Sequence, residues 1–290
     1  MSTIKVGDIV ARISHGMDIL FKVEEIIEHR GKAVALLRGL DLRLYADSPV
    51  ADLEKKTPSE ISAYRQAYIK QNSDMMKRIF QRRMQDREYF LSRGSTEKPV
   101  AVEHFEIPGT VLHLDGDKEY LDLCKTTYSQ LSIKAYGFHV PENKQAEQVV
   151  KYLIEYTPDI LVMTGHDGII KDRKDFSDIN NYRYSKHFVQ AVRRAREYEP
   201  GRDDLVIFAG ACQSHYEALI EAGANFASSP QRVLIHAFDP VFIVEKIAYS
   251  SISEVLSLKD IINNTITGIE GVGGIESRGR FRMGYPKSPY

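Results

Sequence analysis

Cys212 is one of two cysteines in the 290-residue chain, and it closes the apolar run DLVIFAGACQSH at 204–215. A thiol of ordinary acidity, with a pKa of about 8.5, is mostly protonated near neutral pH and becomes a nucleophile when a neighbouring imidazole takes its proton. His166 ends another apolar run, DILVMTGHDG, 46 residues upstream. The pair reads as a catalytic dyad in which Cys212 attacks a carbonyl and His166 moves the proton. The small step Ala209-Gly210-Ala211 lets the chain turn tightly. Backbone N–H groups at Gly165, Asp167 and Ala211 are the candidates to hold a developing oxyanion. A helix starting near Ser214 would aim its positive end at the thiolate. Taken alone, Cys212 reads equally as a small buried hydrophobe at a strand end.

Three carboxylates stand at the ends of other apolar runs: Asp115 and Asp117 in GTVLHLDGD, and Asp239 in RVLIHAFDP. His139, in GFHVPE, is a weaker addition to the same edge. Polar groups converging there make a pocket. His166, Asp167, Cys212 and His215 are also metal-ligand types, but the chain has no CxxC or HExxH pair, so no metal is expected. The first strand-to-helix turn, HLDGDKEY, lacks GxGxxG, and no GxxxxGK[ST] loop exists, so no nucleotide or other cofactor is expected either. The glycine-rich GIEGVGGIESRGRFRMG reads as an irregular C-terminal loop.

The elements that must position these residues are legible as a change of period. Residues 4–48 alternate short β-type runs with turns, which predicts a small barrel-like, SH3-like domain over 1–55. Thr57, Pro58 and Glu60 form a capping box that opens a long helix to about Ser92, and 56–103 reads as a helical, arginine-rich linker. From 104 to 290, runs at 109–114, 133–138, 159–164, 204–209 and 232–237 alternate with amphipathic stretches. That is the pattern of an α/β fold, a mostly parallel sheet flanked by helices on both faces. A net charge of −1 with 27% charged residues argues against a general commitment to nucleic acid or anionic membrane. No apolar run is long enough to span a bilayer, and the first residues lack the apolar core of a secretory signal, so cytoplasmic synthesis with free thiols is expected.

The pairing of a strand ending Gly165-His166-Asp167 with one ending Ala211-Cys212-Gln213 resembles the caspase, gingipain and separase superfamily of cysteine peptidases. The caspase signature sets its cysteine block about 50 residues after the histidine. Asp167 stands where that superfamily usually has glycine, Gly210 replaces a glutamine, and Ser214 replaces a glycine. Over nearly the whole chain, VGDIVARIS, LHLDGD, TGHD, NYRYSKHFV, FAGACQSHYEALI, GANFASSP and GGIESRG resemble the YabG family of sporulation-specific peptidases. The resemblance implies a caspase-like fold with His166 and Cys212 as catalytic residues. It also implies an enzyme made in the mother cell, acting on spore coat and related spore proteins, with cleavage after basic residues, arginine above all. Arginine preference implies an acidic residue in the pocket for the residue before the scissile bond (P1). Asp115 is preferred there, with Asp117, Asp167 and Asp239 as rivals and helix capping as the plain alternative for Asp115. It further implies possible self-cleavage at Arg82, Arg83, Arg87 or Arg93. Two readings of other kinds stand beside this one: a non-catalytic scaffold of the spore coat, and a thiol-dependent transferase or amidase using the same dyad.

Overall fold

Alternating apolar and polar residues near the N-terminus turn one face of a sheet inward. The strands are β1 (Ile9–Arg12), β2 (Phe21–His29), β3 (Lys32–Gly39), β4 (Tyr45–Pro49) and β5 (Leu53–Lys55). The computed structural model describes residues 3–29, 31–93, 105–170 and 173–288, with backbone alone at 87 and 89–93. The five strands pair antiparallel in the order β4-β3-β2-β1-β5. Among the described residues no ladder joins β4 to β5, so the expected barrel is, in its pairing, an open sheet. Of the β-type run DLRLYADSP, only 45–49 forms a strand, and 41–44 leaves the ladder between β3 and β4.

Helix α1 (Pro58–Arg93) begins with the capping box, in which Thr57 N–H donates to Glu60 at 2.8 Å and Glu60 N–H donates to Thr57 Oγ1 at 3.3 Å. It is packed against the body of the protein through Met75 and Ile79, both in the main core. After it come β6 (Phe105–Ile107), β7 (Val111–Asp115), α2 (Lys118–Gln130), β8 (Ala135–His139), α3 (Glu142–Tyr156), β9 (Ile160–Thr164) and α4 (Ser185–Tyr198). Then follow β10 (Val206–Ala209), α5 (Tyr216–Ala222), β11 (Phe226–Ser228), α6 (Asp239–Ala248), α7 (Leu258–Asn263), β12 (Val272–Gly274) and β13 (Arg282–Gly284).

The central sheet runs β12-β11-β10-β9-β7-β8, parallel throughout except for β12. Every residue of β7, β9 and β10 is buried, as strands covered on both faces require. Successive side chains go to opposite faces. Ile160, Val162 and Phe208 join the core under α1, α2 and α6, while Leu161, Met163 and Ile207 join the core under α3, α4 and α5.

Two expectations are corrected. Residues 232–237 are not the fifth strand; that place belongs to β11, from GANFASSP. Asn225 fixes it, accepting the Ile207 N–H at 2.9 Å and donating to Ser277 Oγ at 2.9 Å. The glycine-rich tail is not wholly irregular, for it supplies β12 and β13. Glycine is needed where β12 meets β11, because a Cβ on Gly274 would stand 2.4 Å from the Phe226 ring.

Candidate active site

In an open α/β sheet, the crevice lies beyond the carboxyl ends of the strands, where the connections change direction. That point falls between β7 and β9, since the chain leaves β7 for β8 on one side and returns to β9 on the other. Asp115 ends β7, and His166 and Cys212 follow β9 and β10 by a few residues.

His166 lies between two carboxylates. Its Nε2 is 3.2 Å from Asp117 Oδ2 and its Nδ1 is 3.4 Å from Glu142 Oε1. Asp117 is held by capping α2, accepting the Tyr120 N–H at 2.9 Å. Glu142 accepts the His166 backbone N–H at 2.7 Å. Its carboxylate reaches there only because residue 165 is glycine, where a Cβ would stand 2.3 Å from Oε1. The Tyr45 ring of β4 covers the imidazole, with centroids 3.9 Å apart. Burial works against the imidazolium, but Asp117 and Glu142 together outweigh it and hold the pKa above its ordinary value.

Cys212 is wholly buried. Its Sγ accepts the Ile235 N–H at 3.3 Å, and no hydrogen bond joins it to His166 among the described residues. It packs with Val10, Phe21, Leu37 and Leu53 of the antiparallel sheet, which therefore covers the thiol. Burial pushes its pKa up to about 12, so the thiol is protonated in this arrangement.

One expected oxyanion donor is engaged elsewhere: the Ala211 N–H donates to Ser214 Oγ at 2.9 Å. The amides of Gly165, Asp167 and Cys212 donate to no acceptor among the described residues. Ser214 Oγ in turn donates to Asp167 Oδ2 at 2.9 Å, and Asp167 also accepts from Ser185 Oγ and the Tyr184 N–H. Asp167 and Ser214, both departures from the superfamily pattern, are thus partners of each other. Asp167 stitches the loops after β9 and β10 to the start of α4, and burial lifts its pKa to about 6.

The remaining candidates separate. Asp239 is fully buried away from a cation; it accepts N–H groups of His236 at 3.1 Å and Ile266 at 2.7 Å, together with the Thr267 hydroxyl. His215 caps α5, and exposed His139 lies 3.1 Å from the Gly116 carbonyl. Asp115 is wholly buried and paired at 2.8 Å with the equally buried Arg43. Burial raises a carboxyl pKa, but the guanidinium outweighs it and holds Asp115 well below the usual range.

The family model for YabG peptidase U57 matches residues 5–286. The chain belongs to that family. Over 287 residues it is 43% identical to the sporulation-specific protease YabG of Bacillus subtilis (strain 168), covering 97% of this chain and 98% of that protein. The activity of this YabG-family chain is that of a sporulation-specific peptidase.

In this YabG-family peptidase, residue types alone did not reveal Arg43, Tyr45, Glu142, His113 or Cys124. LDLRLYAD alternates leucine with polar residues, so periodicity sends Arg43 to solvent; the segment does the reverse because it leaves its sheet. His113, Asp115 and Cys124 bring their ligand-type atoms within 4.8 Å of one another, all fully buried. They form a second Cys-His-Asp cluster, but burial lifts the Cys124 thiol to about 12. The cluster does not suit a cation, because the Arg43 guanidinium already lies on Asp115 with Nη2 3.4 Å from Cys124 Sγ.

The arginines read as an exposed cleavage segment are partly engaged. Arg82 and Arg83 lie inside α1 with their guanidinium groups 2.5 and 2.7 Å from the buried Glu245. The side chains of Arg87 and Arg93, and residues 94–104, lie outside the described residues.

Proposed function

We propose that the peptidase hydrolyses bonds after arginine, with Cys212 as nucleophile, His166 as proton carrier and Asp115 as acceptor of the P1 guanidinium. The observation that carries this is the socket at the end of β7, which holds an arginine on Asp115 and joins it by backbone to Ile235, whose N–H donates to Cys212 Sγ. Cys212 Sγ bonds to the scissile carbonyl carbon while its proton passes to His166, and the carbonyl oxygen becomes an oxyanion facing free amides near 165–167 and 212. His166 then gives that proton to the leaving amine as the C–N bond breaks, leaving an acyl thioester. Water attacks the thioester, His166 takes a proton from it, and the carboxylate product leaves as the thiol is restored. Asp117 and Glu142 orient the imidazole and favour its charged form.

Sporulation-related substrates follow from the family, and spore coat proteins processed from the mother-cell side are the reading adopted. A caspase-like assignment for the central sheet is supported by its six-strand order with one antiparallel edge. An SH3-like origin for the N-terminal sheet is supported by its strand order and the short turn between β4 and β5. The test is kinetic. Asp115→Asn should lower kcat/KM for an arginine peptide by about 100-fold, in line with the roughly 2–3 kcal/mol of a charged hydrogen bond, and narrow its advantage over a glutamine peptide. Undiminished arginine preference in Asp115→Asn would remove Asp115 from the pocket.

A further inference from the structure

On the reading of Asp115 as acceptor of a substrate arginine, that seat is already taken by the chain's own Arg43. The Arg43 guanidinium is fully buried, with Nη1 2.8 Å from Asp115 Oδ2, Nη2 3.4 Å from the Ala237 carbonyl, and the group lying over the Tyr120 ring at 5.2 Å. The backbone follows suit. Ala237 N–H donates to Asp41 O at 2.8 Å, Arg43 N–H donates to Ile235 O at 3.4 Å, and Leu42 pairs antiparallel with His236. Main-chain pairing along an exposed edge, with side chains dropped into pockets, is how extended peptides are commonly recognised.

The order of contacts along the strap follows that of a substrate. Arg43 fills the socket, Leu44 packs in the cluster that holds Cys212, and Tyr45 lies on His166. The chain turns sharply at Arg43 itself, with Leu44 N–H donating to Leu42 O at 2.7 Å.

A stabilising ion pair is a poor explanation for this contact. Burying two charges seldom improves on apolar packing, and Arg43 Nε has no partner among the described residues. The segment also gives up its place between β3 and β4 to make the contact.

We propose that residues 41–45 are an internal template of the substrate, and that the peptidase is latent while this strap occupies the site. The strap also names the substrate class. It is an extended polypeptide segment with arginine at P1 and leucine-sized apolar residues on either side, entering along 235–237 as the strap is displaced.

Wild type, Arg43→Met and Arg43→Ala should be compared in cleavage of a Leu-Arg-Leu peptide and in the rate of iodoacetamide labelling at Cys212. Both folded variants should cleave and label at least 10-fold faster than wild type, and Cys212→Ala should do neither. Folded Arg43 variants that turn over at or below the wild-type rate overturn the template while leaving the arginine pocket standing, and cleavage by Cys212→Ala removes the dyad instead. Should the Arg43 variants fail to fold, Leu42→Cys with His236→Cys decides, since facing antiparallel residues of this non-hydrogen-bonded kind stand about 4.5 Å apart at Cα. The oxidised protein should be inactive and recover on reduction. Equal activity in both states, or a pair that does not oxidise, contradicts the template.

Discussion

At the residue scale, the imidazole of His166 carries the clearest electrostatic signature. Asp117, Glu142, Tyr45 and Tyr120 face it, and the two carboxylates raise its pKa despite burial. A group whose folded pKa is raised stabilises the fold fully below its unfolded value, about 6.5 for histidine, and that contribution is lost as pH rises through the folded value. Urea unfolding of wild type and His166→Gln should therefore show the largest gap below pH 6 and a shrinking gap in alkali. A gap that widens with pH would contradict the placement of His166 between carboxylates. Cys212 and His166 were legible as candidates because a thiol and an imidazole are rare types at strand ends. Glu142 was not, since it reads as an ordinary first-turn carboxylate, and Asp117 was legible as a pocket residue but not as a partner of His166. Their reach to His166 depends on packing across 24 and 49 residues of chain.

At the scale of elements, helices α1 to α5 followed from their period, whereas α6, buried nearly all round, and the short α7 did not; most of the parallel strands followed from unbroken apolar runs. β11 escaped because three residues, Phe226, Ala227 and Ser228, are too few to show a period, while 232–237 reads as a strand because it is an apolar run. That run is instead the edge along which 41–43 pairs. Helix α1 is tied to the body through Glu245, which is wholly buried and receives Arg82 and Arg83. Removing one side of a buried pair costs about 3–5 kcal/mol. Glu245→Gln should lose stability on that scale and expose Arg82 and Arg83 to trypsin, whereas wild type resists cutting there under native conditions. Rapid tryptic cleavage at Arg82 or Arg83 in native wild type would contradict the docked helix.

At the scale of the whole molecule, the antiparallel sheet is not an appendage. Its core contains Cys212 and Ile235, its Tyr45 covers His166, and its Arg43 reaches Asp115. A cleft of about 480 Å³ remains between this sheet and the start of α4, lined by Glu24, Leu36, Tyr45, His166, Arg183 and Tyr184. It leads to the imidazole from solvent and gives a polypeptide its approach. The existence of both units was legible in the sequence, but the way one closes the other was not. Nothing in a strand pattern reports which loop of one sheet lies across the carboxyl edge of another.

The central claim is that Cys212, and not the second buried thiol, performs arginine-directed hydrolysis. Mass spectrometry of the cuts made in a proteome-derived peptide library by wild type, Cys212→Ala and Cys124→Ala tests it most directly. The account predicts cleavage after arginine by wild type and Cys124→Ala, and none by Cys212→Ala. Cleavage that survives in Cys212→Ala, or that vanishes only in Cys124→Ala, would contradict it.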